Sequence, residues 1–451
     1  MSTSRVTVVG SGVIGSAIAW RLARTGQPVT WVTGDNHGSA TLAAGAMLAI
    51  YSEVSSHQSD ETVELEVTTR RQGRELWTTW LPELGVPAVS GLFVVGSSAN
   101  DLAGLAAIRA AASDYGGSAE TVEPTDVPGL HADAGHEPVD AVFLPDEATV
   151  DTMTLLDAFH DVLVRDPNVT VVTERAVEVR DGVVTTMSGQ KVAADVVVLA
   201  TGAETNSLLA ASGLTELVPP VLGGRGVSMV VQATEPTEVC IRTPNRAFAC
   251  GLHAVPRAGG LTYLGATNRL TTTPEPAVGP QLAEIDDLVG GCVRELDRRL
   301  RRAEVVSTAV GHRPVTPDRL PVAGRTSEPW LLVATATWRN GVVLAPVLAD
   351  LVAEELGQPG STAKHPFTPT RTWEPAPLDD AAIARAARGI VDTLTESALA
   401  PGRRTDLVAF LEAALTREVE EGNRLVTRLL QRAPMEEALP LVFDLIARQR
   451  R

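Results

Sequence analysis

The sequence predicts an α/β fold in which a Rossmann-type nucleotide-binding domain is interrupted by an inserted, mixed β-rich domain and followed by an all-α extension. Residues 5–33 read as strand, glycine-rich turn, helix and second strand, which is a βαβ unit. Residues 195–200 form a nearly continuous apolar run of the kind buried inside a parallel sheet. A mostly β segment over 221–267 precedes a return to strand and helix over 331–356. We therefore expect separated pieces of the chain to assemble the nucleotide-binding domain.

The expected domain boundaries follow these changes of pattern. A proline-rich linker at 373–377 precedes three helical patterns, and the middle pattern places leucines and valines near one face. The helical C-terminal extension is therefore predicted at 379–451, either as an oligomerisation or partner surface or as a small bundle packed against the body. The other predicted ranges are 1–85 with 145–215 and 305–365 for the nucleotide-binding domain, and 86–144 with 216–304 for the substrate domain.

Composition and charge exclude several classes of protein. The chain has 451 residues, of which 44% are hydrophobic and 21% charged, as in ordinary globular proteins. A net charge of −17 would repel nucleic acid and anionic lipid, so neither partner is expected. The N-terminus lacks a secretory signal pattern and no run reaches the ~18 apolar residues of a membrane span, so a cytoplasmic protein is expected. Cys240, Cys250 and Cys292 form no CxxC pair, and no metal site is expected.

A GxGxxG motif lies between the first strand and the first helix. Gly10 permits the tight turn, Gly12 lets a pyrophosphate approach the backbone, and Gly15 lets the helix pack on the strand. Val13 and Ile14 lie at the start of the helix, whose N-terminus faces the phosphates. The motif in this context predicts a dinucleotide site.

The acidic residue that usually follows such a motif by about 20 residues is displaced in this chain. The second strand ends in Thr33-Gly34-Asp35. Two interpretations are open: Asp35 reaches back to the ribose hydroxyls, or Thr33 makes one weaker contact. Adenosine binding is therefore expected to be less tight than the motif alone suggests.

Further segments bear on which dinucleotide binds. Residues 38–49 are mostly small, so their backbone can pass close to a flat ring system. Thr201-Gly202 ends a buried strand where a second stretch of backbone can meet the cofactor. Residues 311–318 and 338–346 place arginines beside a glycine-led helix start. Such a helix N-terminus can stabilise negative charge that develops on a reduced flavin.

At these residues the sequence resembles the FAD-dependent amine and amino acid oxidases of the D-amino acid oxidase superfamily, and within it is most similar to the glycine oxidases. The resemblance covers roughly residues 5–360. It is carried by the small-residue run ending in Met47-Leu48-Ala49, by His312-Arg313-Pro314, and by Arg339-Asn340-Gly341 with the following residues to Pro346. The resemblance implies a noncovalent FAD whose pyrophosphate lies on the Gly10 to Gly15 loop.

The remaining site residues are also implied by the resemblance. Arg313 matches the arginine that pairs with the substrate carboxylate, and a bidentate guanidinium would fix the Cα–H bond over the flavin. The adenine would lie near the backbone of Val177. The implied flavin contacts are Ala43, Ala44, Gly45, Met47 and Leu48 along the isoalloxazine, and Arg339, Asn340, Gly341, Val342 and Val343 at its pyrimidine edge.

Two departures from the family pattern concern the substrate. His253 stands where the resembling oxidases have an active-site tyrosine that helps to hold the carboxylate. It is expected either to be a second carboxylate contact, or to hold a polar substituent, or to be a core histidine. Asn268 stands where glycine oxidases have an apolar residue, which would make the pocket more polar. Free glycine and an N-substituted glycine from specialised metabolism therefore both remain candidate substrates.

Two hypotheses for the function follow. In the first, FAD takes a hydride from the carbon next to the nitrogen of a small carboxylate-bearing amine, the imine hydrolyses, and dioxygen reoxidises the flavin with formation of hydrogen peroxide. Arg313, His253 and Arg339 are then the expected catalytic residues. In the second, the protein is a flavin-binding scaffold with weak or no oxidase activity, and the helical tail binds a partner.

Overall fold

The structure is a computed structural model that describes residues 4–34, 39–56, 58, 60–214, 216–245, 251–271, 274, 279–372, 380, 383, 409 and 412–417. The helices of the described chain are α1 Val13–Ala23, α2 Asp60–Leu84, α3 Ala99–Asp114, α4 Thr152–Arg165, α5 Thr205–Ala211, α6 Leu282–Glu295 and α7 Gly341–Gly357. The strands are β1 Val6–Val9, β2 Val29–Val32, β3 Met47–Leu48, β4 Ala88–Gly96, β5 Glu120–Val122, β6 Asp140–Val150, β7 Val169–Val172, β8 Ala176–Arg180, β9 Val183–Thr186, β10 Lys191–Ala193, β11 Val196–Leu199, β12 Leu222–Gln232, β13 Cys240–Arg242, β14 His253–Arg257, β15 Leu261–Gly265, β16 Arg269–Thr271, β17 Glu304–Val315, β18 Val322–Arg325 and β19 Leu331–Thr335.

The first sheet is the predicted nucleotide-binding sheet. Its strand order is β18-β19-β11-β1-β2-β7, and all neighbours are parallel except β18 and β19. Strand β1 is apolar on both faces because both faces are covered, as in other parallel sheets. Val8 packs under helices α1, α2, α4 and α7, whereas Val9 packs under α5 and the small sheet β10-β9-β8.

Aromatic side chains join three of the helices on the first face. The ring centroids of Trp20 and Trp80 lie 4.7 Å apart in an edge-to-face arrangement, and those of Trp20 and Phe159 lie 5.8 Å apart. Trp77 donates its indole N–H to the carbonyl of Val342 at 2.8 Å. These contacts fix α2 against the start of α7, which borders the site described below.

The second sheet is large and mostly antiparallel. Its order is β16-β12-β15-β14-β13-β4-β6-β3, with β17 paired to β12 and β5 paired to β6. Helix α6 packs its buried residues, among them Leu288 and Cys292, on one side of this sheet. The α/β architecture with an inserted β-rich layer is thus confirmed.

Strand pairing differs from the predicted domain ranges at three places. Residues 305–365 were expected to form the third piece of the nucleotide-binding domain, but the strand that begins this range, β17, pairs along its length with β12 of the large sheet. Strands β3 and β6 pair with each other there as well, although residues 47–48 and 145–150 were assigned to the other domain. Two of the expected boundaries fall inside a continuous strand, at residues 144–145 in β6 and at residues 304–305 in β17. The linker and most of the predicted tail at 379–451 lie outside the described residues.

Within the described ranges, no helix combines the length and the apolar character needed to cross a membrane. Cys240 and Cys292 are buried and form no disulfide within those ranges, and Cys250 lies outside them. The same part of the chain contains no group of three His, Cys, Asp or Glu side chains that could hold a metal ion.

Candidate flavin and substrate site

A cavity of about 420 Å³ opens at the carboxyl ends of the parallel strands. Gly10 follows β1, Ala200 follows β11, and Thr335 ends β19, and all three line the cavity. Ligands of open α/β sheets bind at this edge. Of the predicted site residues, those that line the cavity are Gly10, Gly12, Val13, Ile14, Ala44, Gly45, Met47, Val177, Thr201, Gly202, His253, Arg313, Arg339, Asn340, Gly341 and Val342.

The glycine-rich loop is formed by close backbone contacts. Gly10 has a φ of +123°, and a Cβ on it would lie 2.3 Å from the carbonyl oxygen of Ala200. A Cβ on Gly15 would lie 2.1 Å from the carbonyl oxygen of Gly10. Gly12 is the N-cap of α1 and provides no side-chain cap, so the helix N-terminus faces the cavity without an internal anion. The first turn of α1 therefore offers positive backbone polarity to a phosphate.

Several predicted cofactor contacts do not line the cavity. Leu48 follows Met47 on a strand, so the two side chains point to opposite faces, and Leu48 is fully buried in the core. Gly15 packs against the carbonyl of Gly10, and the carbonyl of Val343 packs against Gly73 of α2. The hydroxyl of Thr33 donates to the carbonyl of Val172 at 3.5 Å. The carbonyl of Ala43 accepts a hydrogen bond from Tyr263. Asp35 lies outside the described residues.

The small-residue run is held from behind by two side chains of the large sheet. The hydroxyl of Tyr263 donates to the carbonyl of Ala43 at 2.7 Å. The guanidinium of Arg257 donates to the carbonyls of Ala44 and Gly45 at 3.0 and 3.3 Å, and stacks 4.7 Å above the Tyr263 ring. Three successive carbonyls are thereby turned away from the cavity. The sequence pattern alone does not indicate this support.

The loop before α7 forms the opposite wall. Ala336 and Trp338 both have left-handed backbone, with φ of +59° and +48°, which is strained for residues other than glycine. The amide of Trp338 donates to the carbonyl of Pro314 at 2.8 Å, which ties this loop to the end of β17. The guanidinium of Arg339 lies 4.1 Å from the Trp338 ring centroid. The positions of Arg339 and Arg313 are thus linked through one backbone hydrogen bond.

Arg313 extends from β17 across the glycine of the neighbouring strand. A Cβ on Gly226 would lie 2.2 Å from its Nη1 atom, so only glycine leaves room for the guanidinium. Nη1 donates to the carbonyl of Thr267 at 3.1 Å and to Oδ1 of Asn268 at 3.2 Å. Nδ2 of Asn268 is buried and has no partner among the described residues. One edge of the guanidinium is therefore fixed by the protein.

A buried ion pair next to the cavity was missed from the sequence. Glu53 lines the cavity and pairs with the fully buried Arg242 at 2.6 Å. Asn245 donates to the other carboxylate oxygen of Glu53 at 2.9 Å and accepts from Arg242 at 2.7 Å. Burial raises the pKa of Glu53, but the positive charges of Arg242 and Arg339 and these hydrogen bonds outweigh it and lower the pKa to about 2. Glu53 is therefore ionised at neutral pH.

A second buried carboxylate supports the loop that carries Glu53. Glu147 on β6 accepts the amides of Tyr51 and Ser52 at 2.6 and 2.8 Å, and the hydroxyl of Ser52 at 2.5 Å. Burial raises the pKa of Glu147. Glu147 lies two residues past the predicted boundary at residue 145, on strand β6, which runs across that boundary and so joins the two predicted domains.

The walls of the cavity suit FAD. The indole Nε1 of Trp338 and the Oδ1 of Asn340 are buried and lack hydrogen-bond partners in the part of the chain that the structure describes. The N-terminus of α1, whose Val13 amide donates to the hydroxyl of Thr41 at 3.1 Å and which has no acidic residue in its first turn, lies at one end of the cavity. The run Ala44 to Met47 also lines the cavity. Trp338 and Asn340 both line the cavity, so these unpaired atoms belong to the wall against which the cofactor would bind. The fold and site together define a flavoprotein.

The comparisons with known proteins agree with this class. Residues 5–355 match the family described as FAD dependent oxidoreductase (DAO), and the chain belongs to that family. It is 27% identical over 377 residues to a bifunctional protein ThiO/ThiG of a Nostoc species, a match that covers 79% of this chain and 54% of the relative. The chain thus spans about half the length of this bifunctional relative.

Two further similarities concern Geobacillus kaustophilus. The glycine oxidase of that organism is 27% identical over 366 residues, covering 77% of this chain and 92% of the relative. The crystal structure of glycine oxidase from the same organism matches with a TM-score of 0.69 at 24% identity, over 82% of this chain and 100% of that one. The protein is an FAD-dependent oxidoreductase with the fold seen in that structure.

Proposed function

We propose that the protein oxidises a small amine that bears a carboxylate, either glycine or an N-substituted glycine. The observation that carries the proposal is the position of Arg313 in the wall of the cavity, with one edge of its guanidinium fixed by Thr267 and Asn268. The other edge can form charged hydrogen bonds to a carboxylate. The glycine oxidase relative supports a substrate of this size.

The residues of the chain act by binding and orientation. Arg313 would hold the substrate carboxylate, which places the adjacent carbon at a set distance from the small-residue run. Ala44 to Met47 and the N-terminus of α7 would hold the flavin ring, and the backbone polarity of α7 favours negative charge near Asn340 and Gly341. FAD, when bound, supplies the hydride acceptor for the carbon next to the substrate nitrogen.

The overall reaction balances without a nucleophile from the protein. The substrate carbon loses a hydride and its nitrogen loses a proton, which gives an imine. Water then hydrolyses the imine to glyoxylate and an amine or ammonia. Dioxygen is the proposed acceptor of the two electrons, together with two protons, and leaves as hydrogen peroxide.

Peroxide release tests the proposal. Purified FAD-loaded protein is mixed with glycine, sarcosine and N-ethylglycine, and with methylamine and dimethylamine as matched amines without a carboxylate. We expect equal amounts of oxygen consumed and peroxide formed with at least one of the first three, and none with the last two. Oxidation of the amines without carboxylate would remove Arg313 from substrate binding. No turnover with any amine would favour the flavin-binding scaffold.

The proposal extends to the electron acceptor, which is dioxygen, to the cellular compartment and to the assembly of the protein. We propose that the protein works in the cytoplasm and that residues 379–451 serve assembly with a second copy or another partner. A chain ending at residue 378 should still bind FAD and be reduced by substrate, while its mass by light scattering falls or it aggregates. Loss of FAD binding on truncation would show instead that the tail is an integral part of the flavin-binding body.

A further inference from the structure

His253 lies in the cavity wall next to the small-residue run. It is the first residue of β14, pairs in register with Gly265, and is 3% exposed. Its ring stacks on Tyr263, with centroids 5.5 Å apart and planes 20° apart. The side chain is therefore held in one orientation while it lines the cavity.

The backbone determines which nitrogen of His253 carries the proton. Nδ1 lies 3.1 Å from the carbonyl oxygen of Gly251, and a carbonyl can only accept. Nδ1 must therefore be the donor, and in the neutral ring Nε2 has a free lone pair. Burial, with smaller contributions from the charges of Arg242 and Arg313, lowers the pKa of His253 to about 3, although Glu53 opposes it. The ring stays neutral at neutral pH.

Nε2 lies at the level of the small-residue run. A Cβ on Gly45 would be 2.8 Å from it, and a Cβ on Gly265 would be 2.5 Å from it, so glycine at both positions leaves this nitrogen room. Within the described residues Nε2 has no hydrogen-bond partner. A carboxylate is also an acceptor and cannot pair with an unprotonated nitrogen. The expectation that His253 is a second carboxylate contact therefore conflicts with its tautomer.

We propose that Nε2 of His253 accepts a hydrogen bond from the N–H of the bound substrate while Arg313 holds its carboxylate. This assignment rests on the proposed function. Arg313 would bind the carboxylate of the amino acid as a charged donor, and His253 would bind its amine as a neutral acceptor. The site would then favour glycine and secondary N-substituted glycines over N,N-disubstituted ones, whose neutral form has no N–H to donate.

Unreactive carboxylates separate this role from carboxylate binding. Acetate has no donor next to its carboxylate, glycolate has a hydroxyl donor, and methoxyacetate has an ether oxygen that only accepts. Each is titrated against the flavin absorbance of the FAD-loaded protein. We expect the wild type to bind glycolate about 3- to 10-fold more tightly than acetate or methoxyacetate, as one hydrogen bond to a buried acceptor would give.

The variants test the residue itself. His253→Phe retains the ring that stacks on Tyr263 but has no acceptor, and should lose the preference for glycolate while binding acetate unchanged. His253→Gln, whose amide oxygen can accept, should retain part of the preference. His160→Gln, at an exposed histidine, is the matched control. The variants' FAD content shows that they have folded.

The binding results test the role of His253 separately from the carboxylate site. Equal losses for acetate and glycolate in His253→Phe would make His253 a carboxylate contact and overturn the proposal. Equal affinity of the wild type for glycolate and methoxyacetate would overturn it as well, even if no variant folds. Failure of the wild type to bind any of the three would contradict the carboxylate site itself, and with it the proposed function.

Discussion

The two ends of the cavity are constructed differently. At the phosphate end the walls are backbone: residues 9–15 supply the turn and the helix start, and Gly10 also packs against the carbonyl of Ala200, which follows the paired strand β11. At the substrate end the walls are side chains from separate places: the loop after β3, and strands β13, β14 and β17. A local segment folds with its neighbours in sequence, whereas the substrate end requires long-range pairing. The phosphate end therefore tolerates almost no added atom, and the substrate end depends on charge pairing.

The largest expected effect is at the substrate end. Glu53→Gln removes the charge that compensates the fully buried Arg242, so the free energy of unfolding should fall by about 3–5 kcal/mol in urea. Asp195→Asn breaks the solvent-exposed pair with Arg5 and should cause no measurable loss. Equal effects of the two changes would mean that the Glu53 pair is not a buried one, and the contrast between the two ends would fail.

At the phosphate end the expected change is steric. Gly15→Ala places a Cβ 2.1 Å from a backbone oxygen that has no flexible side chain to move, and such overpacking costs about 1–3 kcal/mol. FAD content after purification should fall with it. Gly357→Ala, where nothing lies within 4 Å of the new Cβ, should retain full FAD content. If Gly15→Ala binds FAD as the wild type does, the close contacts at the loop are not needed.

The free energy of unfolding should depend on pH because of the buried titratable groups at the substrate end. The pKa of His253 is about 3 in the folded chain and near 6.5 when unfolded, so the unfolded state binds more protons between these values. Stability should therefore fall as pH decreases from about 6.5, by up to about 1 kcal/mol per pH unit from this residue. His253→Phe should make that part of the curve less steep, and His312 and His365, whose pKa values burial also lowers, account for the slope that is left. Measurements between pH 6.5 and 5 avoid Glu53, whose contribution is lost only as pH falls from about 4.5 towards 2.

The smallest expected effect on FAD binding comes from the hydrogen bonds that support the small-residue run. Tyr263→Phe removes the hydrogen bond to Ala43, which is worth about 0.5–1.5 kcal/mol, so the Kd for FAD should rise about 2- to 10-fold. Tyr115→Phe is the matched control, because no side-chain hydrogen bond is formed by Tyr115 within the described residues. A larger loss than this from Tyr263→Phe would mean that the run itself rearranges.

The sequence predicts the phosphate end well because its pattern is local. Helix α1 begins at Val13, next to the glycines that the motif requires, and the buried strand at 196–199 is recognised by its apolar run. Where a run of neighbours was predicted together as flavin contacts, only some of its members line the cavity. Met47 and Leu48 are adjacent on a strand and point to opposite faces, and of the neighbours Val342 and Val343 on helix α7 only Val342 lines the cavity.

The substrate end could be predicted only in part. Arg313, Arg339 and His253 were found through family resemblance, and the tautomer of His253 needed the position of the Gly251 carbonyl. Glu53 and Arg242 were missed because charged residues are usually exposed. Arg242 lies on the paired strand β13 and Glu53 on the loop after β3, so their contact depends on long-range folding. The one available signal was a charge that directly follows the apolar residues Val239 to Ile241. Such a residue in a buried strand requires a partner.

Anaerobic reduction of the flavin tests the central claim most directly. FAD-loaded wild type, Arg313→Leu and the exposed control Arg165→Leu are mixed without oxygen with glycine and with sarcosine, and the absorbance of oxidised flavin is followed. The wild type and the control should bleach with at least one of these substrates. Arg313→Leu should retain its FAD and bleach about 10- to 150-fold more slowly at low substrate concentration, the loss expected for a charged hydrogen bond. Bleaching of Arg313→Leu at the wild-type rate, or a wild type that bleaches with neither amine, would contradict the account.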